Sequence, residues 1–122
     1  MTKKRIAILS NNGHSPWLKR LARLLGDLGE IEILTECAWD TAPVSVLDLI
    51  VVDTSGLQME LAERVAWLHG RFPESPIVVL TSSPTWRRAR AVLQAGAADY
   101  MRRSLEDQLL LKRCRLLMEW QP

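Results

Sequence analysis

The feature that most constrains this sequence is the segment Asp48–Asp53, which reads DLIVVD. Its four apolar residues, three of them β-branched, lie between two aspartates. A run this short and this apolar is typical of a central strand that is buried on both faces of a sheet. Asp53 would then stand at the carboxyl end of that strand, where open α/β sheets place ligand and reaction sites. A carboxylate on such a rigid edge is a candidate for chemistry.

Strands and helices are predicted to alternate along residues 1–122 without a repeat or a linker, as one domain. The predicted strands are Lys4–Leu9, Ile31–Thr35, Leu49–Asp53, Pro76–Thr81 and Ala98–Met101. The first predicted helix begins at Pro16, after a capping Ser15. The other long helices are predicted over Leu57–Phe72, Thr85–Gln94 and Leu105–Trp120. The segment Glu36–Leu47 leaves room for a second helix of one or two turns only. This order predicts an α/β fold, a doubly wound five-stranded parallel sheet with helices on both faces.

Composition places the chain among ordinary soluble globular domains, with 48% apolar and 25% charged residues. A net charge of +2 argues neither for nucleic acid nor for a membrane surface. No apolar run reaches transmembrane length, and the first residues do not form a signal peptide. Cys37 and Cys114 have no C-x-x-C or metal-ligand spacing, so we expect two reduced, mostly buried thiols. These features predict a cytoplasmic protein.

The carboxyl ends of the first, third, fourth and fifth strands are predicted to meet at one shallow site. Their last or following residues are Ser10 and Asn11, Asp53, Thr81 and Arg103. This set combines one carboxylate, three neutral polar side chains and one cation.

Three segments, DLIVVD, PIVVLTSS and AGAADYMRRS, occur in an order and spacing that resemble the response-regulator receiver domain of bacterial two-component signalling. The resemblance covers essentially the whole chain and implies the flavodoxin-like receiver topology. It also implies a phosphorelay context. In the third segment the family usually shows Gly-Ala-x-x-Tyr followed by Lys-Pro.

The resemblance implies roles for three residues. Asp53 lies where the family accepts a phosphoryl group from a kinase phosphohistidine. Thr81 matches the hydroxyl that turns toward that phosphoryl group, and Tyr100 matches the aromatic side chain that changes rotamer with it. Thr81 and Tyr100 are therefore predicted to form a switch pair.

The sequence departs from the family pattern at four positions. Ser10 and Asn11 occupy the positions of the acidic pair that holds Mg²⁺, Arg103 replaces the lysine and Ser104 the proline. Phosphoryl transfer depends on a metal that is usually held by carboxylates, so we expect no cofactor, or Mg²⁺ bound weakly at Asp53. Arg103 is expected to hold Asp53 through two nitrogens instead.

These residues leave several functions open. Asp53 could end a strand and bond a turn, serve as a phosphoacceptor with a poorly bound metal, or belong to an interaction module that works without phosphate. A small-molecule or nucleotide-binding enzyme on the same fold is an alternative of another class. The loop at residues 11–15 lacks the glycine pattern of nucleotide sites, and no substrate turnover beyond self-phosphorylation is expected.

The basic fourth helix is either a solvated face or an interaction surface for an anionic partner. Arg87, Arg88 and Arg90 lie in a stretch that has no acid between Glu74 and Asp99, and Trp86 could be an exposed anchor. The expected partners are a sensor kinase or a downstream effector. A homodimer through helix 4, strand 5 and helix 5 is the alternative, with acids supplied by Asp99, Glu106 and Asp107. Direct nucleic-acid binding is not expected, because no groove-reading motif is present.

Overall fold

Five parallel strands form the centre of the structure, a computed structural model that describes residues 3–119. Their order across the sheet is β2-β1-β3-β4-β5. The strands are β1 Arg5–Leu9, β2 Glu30–Leu34, β3 Leu49–Asp53, β4 Ile77–Thr81 and β5 Asp99–Arg102. The helices are α1 Pro16–Leu25, α2 Glu36–Thr41, α3 Leu61–Arg71, α4 Trp86–Ala95 and α5 Asp107–Glu119. The predicted doubly wound α/β architecture is confirmed.

The two strands with continuous apolar sequences lie at the centre of the sheet. Every residue of β3 and of β4 is buried, because α1 and α5 cover one face and the other three helices cover the opposite face. Alternate residues of β3 divide between the two layers: Leu49 and Val51 face α1 and α5, and Ile50 and Val52 face the other side. The edge strands β2 and β5 are only partly buried.

The capping residue predicted for the first helix is confirmed, and the structure shows a second one at the fourth helix. The Ser15 side chain accepts a hydrogen bond from the N–H of Leu18 at the start of α1, and Thr85 does the same for Arg88 at the start of α4. The second helix has six residues, in agreement with the short connection.

The third helix starts four residues later than predicted, at Leu61 instead of Leu57. The N–H groups of Gln58 and Met59 donate hydrogen bonds to the carboxylate of Glu36, which holds this segment outside the helix. The predicted end of the last helix, Trp120, lies outside the described residues.

The two thiols differ from expectation in their burial. Cys114 is buried in the layer between the sheet and α5, and burial raises its pKa to about 12. Cys37 is exposed, so the prediction of a buried thiol is wrong there, because the short α2 presents this position to solvent. Both cysteines are free. Among residues 3–119, no helix is long and apolar enough to cross a membrane.

Gly96 ends α4 in a conformation that other residues rarely adopt. Its φ is +122°, and a Cβ atom added there would lie 2.5 Å from Cγ of His69. Gly70, on the exposed side of α3, has no atom within 4 Å of such a Cβ. The two glycines therefore differ in what a methyl group would meet.

We expect Gly96→Ala to lower the free energy of unfolding by more than about 1 kcal/mol, because both its backbone and His69 oppose a side chain. Gly70→Ala should raise it by up to about 1 kcal/mol, because alanine favours a helix interior. Urea denaturation of both variants measures the difference. Equal effects of the two substitutions would contradict the packing of α4 against α3.

Candidate functional site

Asp53 ends β3 with no surface exposed to solvent. One carboxylate oxygen accepts a hydrogen bond from the Ser10 hydroxyl at 2.8 Å, and the other accepts from the N–H of Ser55 at 3.1 Å. The Ser10 hydroxyl also accepts a hydrogen bond from the N–H of Asn12. Both oxygens of Asp53 are thus occupied by donors from neighbouring loops.

Arg103 does not hold Asp53, so that expectation is wrong. Its guanidinium lies over the indole of Trp17, with Cζ 3.8 Å from the ring centre, and it forms no ion pair with Asp53. A planar guanidinium stacks well on an aromatic face. Arg103 therefore has Trp17 and not Asp53 as its partner.

Asn11 belongs to a different cluster, centred on Glu36. Its amide oxygen accepts from the N–H of Glu36 at 2.8 Å, and its amide nitrogen donates to the Glu36 carboxylate and to the carbonyl of Gly56, both at 2.9 Å. Asn11 therefore ties the loop after β1 to α2 and to the loop after β3.

Glu36 and Arg64 form a buried ion pair that the sequence did not indicate. The pair joins α2 to α3, with Nη2 of Arg64 3.0 Å from a Glu36 carboxylate oxygen, and each side chain is less than 5% exposed. Arg64 also binds Asp40 at 2.9 Å, at the surface. Glu36 and Arg64 lie on different helices 28 positions apart, so only the tertiary fold brings them together.

The pKa of Glu36 follows from this environment. Burial raises the pKa of its carboxyl group, but the donors around it outweigh burial and hold the pKa below its ordinary value of 4.5. The largest of these opposing contributions come from the N–H groups of Gln58 and Met59.

The residues at this edge do not fit Mg²⁺, which prefers several oxygen ligands that include carboxylates. The Ser10 hydroxyl donates to Asp53, the Asn11 amide oxygen is bound to Glu36, and Glu36 is paired with Arg64. Within residues 3–119, no group of three or more His, Cys, Asp or Glu side chains could hold a metal ion.

The predicted switch residues both bind the loop between β4 and α4. The Thr81 hydroxyl, buried, accepts from the N–H of Ser83 at 3.2 Å, and the Tyr100 hydroxyl accepts from the N–H of Thr85 at 3.4 Å. These two hydrogen bonds tie the loop between β4 and α4 to the end of β4, through Thr81, and to β5, through Tyr100. Switching between them stays a prediction.

The structure separates the five predicted interaction residues into three places. Trp86, Arg87 and Arg90 lie together on the exposed side of α4. Arg88 instead lines a cleft of about 580 Å³ beside the site, between the loops that follow β3 and β4. Asp99 lies at the other end of β5, in an ion pair with Arg113 at 3.1 Å.

Comparison with known proteins identifies the fold. A signal receiver domain from an HD domain-containing protein of Pseudomonas fluorescens Pf-5 matches with a TM-score of 0.83 and 20% identity, over 98% of this chain and 89% of that one. The response regulator DrrB of Thermotoga maritima gives a TM-score of 0.82 and 22% identity, over 98% and 54%. The chain has the receiver fold.

The structure is also similar to that of a putative pilus assembly protein of Burkholderia thailandensis E264, at a TM-score of 0.77 and 19% identity, over 96% of this chain and 99% of that one. In sequence, the chain is 30% identical over 88 residues to the uncharacterized transcriptional regulatory protein YhcZ of Bacillus subtilis. That match covers 68% of this chain and 41% of YhcZ, so the chain spans well under half of this relative. No family model matches the chain.

Replacing Glu36 by glutamine removes the charge that compensates buried Arg64. We expect Glu36→Gln to lower the free energy of unfolding by on the order of 3 kcal/mol, measured by urea denaturation at pH 7. Asp40→Asn is the matched control, because Asp40 binds the same arginine but its side chain is 50% exposed. That control should cost less than about 1 kcal/mol. Similar losses of unfolding free energy in both variants would show that the buried Glu36–Arg64 ion pair stabilises the fold no more than the exposed Asp40–Arg64 pair.

The lowered pKa of Glu36 predicts a pH dependence. The stabilisation that it contributes is fully present above the unfolded-state pKa near 4.5 and is lost as pH falls through the lower pKa of the folded protein. The difference in unfolding free energy between wild type and Glu36→Gln should therefore be constant from pH 7 to pH 5 and shrink below about pH 4.5. Denaturation curves across this range measure it, and a difference that grows on acidification would reverse the assignment.

Proposed function

We propose that this receiver-fold domain transmits signals through protein contacts, without Mg²⁺-dependent phosphoryl transfer to Asp53. The observation that carries the proposal is the state of Asp53, whose carboxylate is inaccessible to solvent and bonded by Ser10 and Ser55. A phosphoryl donor must approach this carboxylate in line with the bond that breaks. With no exposed surface, Asp53 offers no such approach unless the surrounding loops move.

The replaced acidic pair supports the same conclusion. A pair of unit charges at 4 Å is worth about 4 kcal/mol at an intermediate dielectric, and more with a divalent ion. Neutral Ser10 and Asn11 would return only about 1 kcal/mol each through hydrogen bonds. Both side chains are also committed to other partners, Ser10 to Asp53 and Asn11 to Glu36.

The receiver fold supports a regulatory role, since similar domains occur in a response regulator and in an HD domain-containing protein. In this proposal the domain turns over no substrate. Its partners are a sensor kinase or a downstream effector, and the contact with them does not depend on phosphorylation of Asp53.

The test is incubation with acetyl phosphate and Mg²⁺, followed by intact-mass measurement. We expect no added phosphoryl group on the wild-type protein, because Asp53 is covered and no donor set holds the metal. A phosphoryl adduct on the wild-type protein that is absent from Asp53→Asn would contradict the proposal and show that Asp53 accepts a phosphoryl group.

A double variant that carries the family's acidic pair provides the positive control for Mg²⁺ binding. Ser10→Asp combined with Asn11→Asp should gain a saturable change in tryptophan fluorescence on Mg²⁺ titration, with Trp17 as the reporter at this edge. The wild-type protein should show no such change. A wild-type response equal to that of the double variant would contradict the poor fit of Ser10 and Asn11 to the metal.

A further inference from the structure

A cleft of about 580 Å³ lies between the loop that follows β3 and the loop that follows β4. Ala62 of α3 and Ala91 of α4 line it, and their small side chains leave this space between the two helices. Its volume falls within the range of about 300–1,000 Å³ that is typical of small-molecule sites. Neither Asp53 nor Arg103 lines the cleft, so it is distinct from the strand tips.

Both walls of the cleft are held by hydrogen bonds to buried groups. On the side of β3, the N–H groups of Gln58 and Met59 donate to the buried carboxylate of Glu36, at 2.6 and 2.9 Å. On the side of β4, the N–H of Ser83 donates to the buried hydroxyl of Thr81. A cleft whose walls are already ordered loses little conformational entropy when a ligand enters, which favours binding.

The lining of the cleft combines apolar surface with hydrogen-bonding groups. Leu57 and Val92 supply apolar side chains, and Ser82 and Ser83 supply exposed hydroxyl groups at the rim. Apolar walls with a few polar groups at one side are the usual composition of a site for a small organic molecule.

Arg88 gives the cleft a positive charge. It is exposed and forms no ion pair with any residue of the described range 3–119. The first turn of α4 contains no acid, so the positive end of the helix dipole adds to the charge of Arg88. Glu60 is the one acid among the described residues of the lining, and its carboxylate caps α3 by accepting from the N–H of Glu63 at 3.0 Å. A free guanidinium beside an engaged carboxylate favours an anionic ligand.

We propose that this cleft binds a small organic anion, with its carboxylate or phosphate group on Arg88 and its apolar part against Leu57 and Val92. The bound anion ties α3 to α4 and takes the place of phosphorylation of Asp53 as the input signal. The proposal rests on the proposed function and deepens it, because it names the chemistry of the signal that the domain receives.

The test titrates phenylphosphonate and, separately, benzoate into the ¹⁵N-labelled protein. Phenylphosphonate carries its phosphate-like group on a carbon–phosphorus bond, so it cannot transfer a phosphoryl group to Asp53. We expect saturable amide shift changes in residues 54–62 and 81–92, at about millimolar concentration for molecules this small. Benzamide, which has the same ring but no charge, should cause none at that concentration. The anion that binds more tightly identifies the head group as phosphate or carboxylate.

Arg88→Gln should weaken binding of the anion about tenfold or more, because it removes the cation that the head group meets. Arg90→Gln is the matched control, with the same change of charge on the same helix. Arg90 lies over the ring of Trp86 and does not line the cleft, so its substitution should leave the affinity almost unchanged.

A second pair of variants tests the space without a change of charge. Ala91→Leu should abolish binding, because the longer side chain fills the cleft. Ala66→Leu, at an exposed position of α3, is its control and should bind as the wild-type protein does. Circular dichroism of each variant verifies that it is folded.

Four results would overturn the proposal: no saturable shifts with either anion, equal shifts with benzamide, equal losses for Arg88→Gln and Arg90→Gln, or unchanged affinity in a folded Ala91→Leu variant. A phosphoryl adduct on Asp53 in the acetyl phosphate experiment is a separate outcome. It would contradict the proposed function and leave the phenylphosphonate result as it is.

Discussion

The buried ion pair between Glu36 and Arg64 is the interaction on which the rest of the site depends. The Glu36 carboxylate also receives the N–H groups of Gln58 and Met59 and the amide of Asn11. One carboxylate thus connects α2, α3 and the loops that follow β1 and β3. A buried charge is tolerated only when it is paired and hydrogen-bonded, and both conditions are met here. The loop that carries Ser55 is consequently anchored a few residues beyond its contact with Asp53.

Asp53 illustrates the opposite electrostatic situation. It is as buried as Glu36 but has two hydrogen-bond donors and no cationic partner, because Arg103 lies on Trp17. The edge of a parallel sheet normally leaves a site open to ligands. Here the neutral side chains of Ser10 and Asn11 bond the two buried carboxylates, Asp53 and Glu36.

Much of the fold could be predicted from local patterns. The limits of β3 agree with the structure, and those of β1, β2, β4, β5 and α4 agree to within one residue. These elements are defined by short apolar runs, caps and turn residues, which act between neighbours in sequence. The helix α3 was predicted too early because its amphipathic pattern extends back to Leu57, whereas the competing bonds to Glu36 come from a distant element.

The sequence by itself therefore determined the parallel sheet, the placement of Asp53 at its edge and the neutral residues beside it. Only the tertiary structure decided which groups pair there: Ser10 with Asp53, Asn11 with Glu36, and Arg103 with Trp17. The physical reason is that several donors and acceptors compete at one edge within a few ångströms. The outcome depends on where α1, α2 and α3 pack, and no periodicity in the sequence encodes that choice.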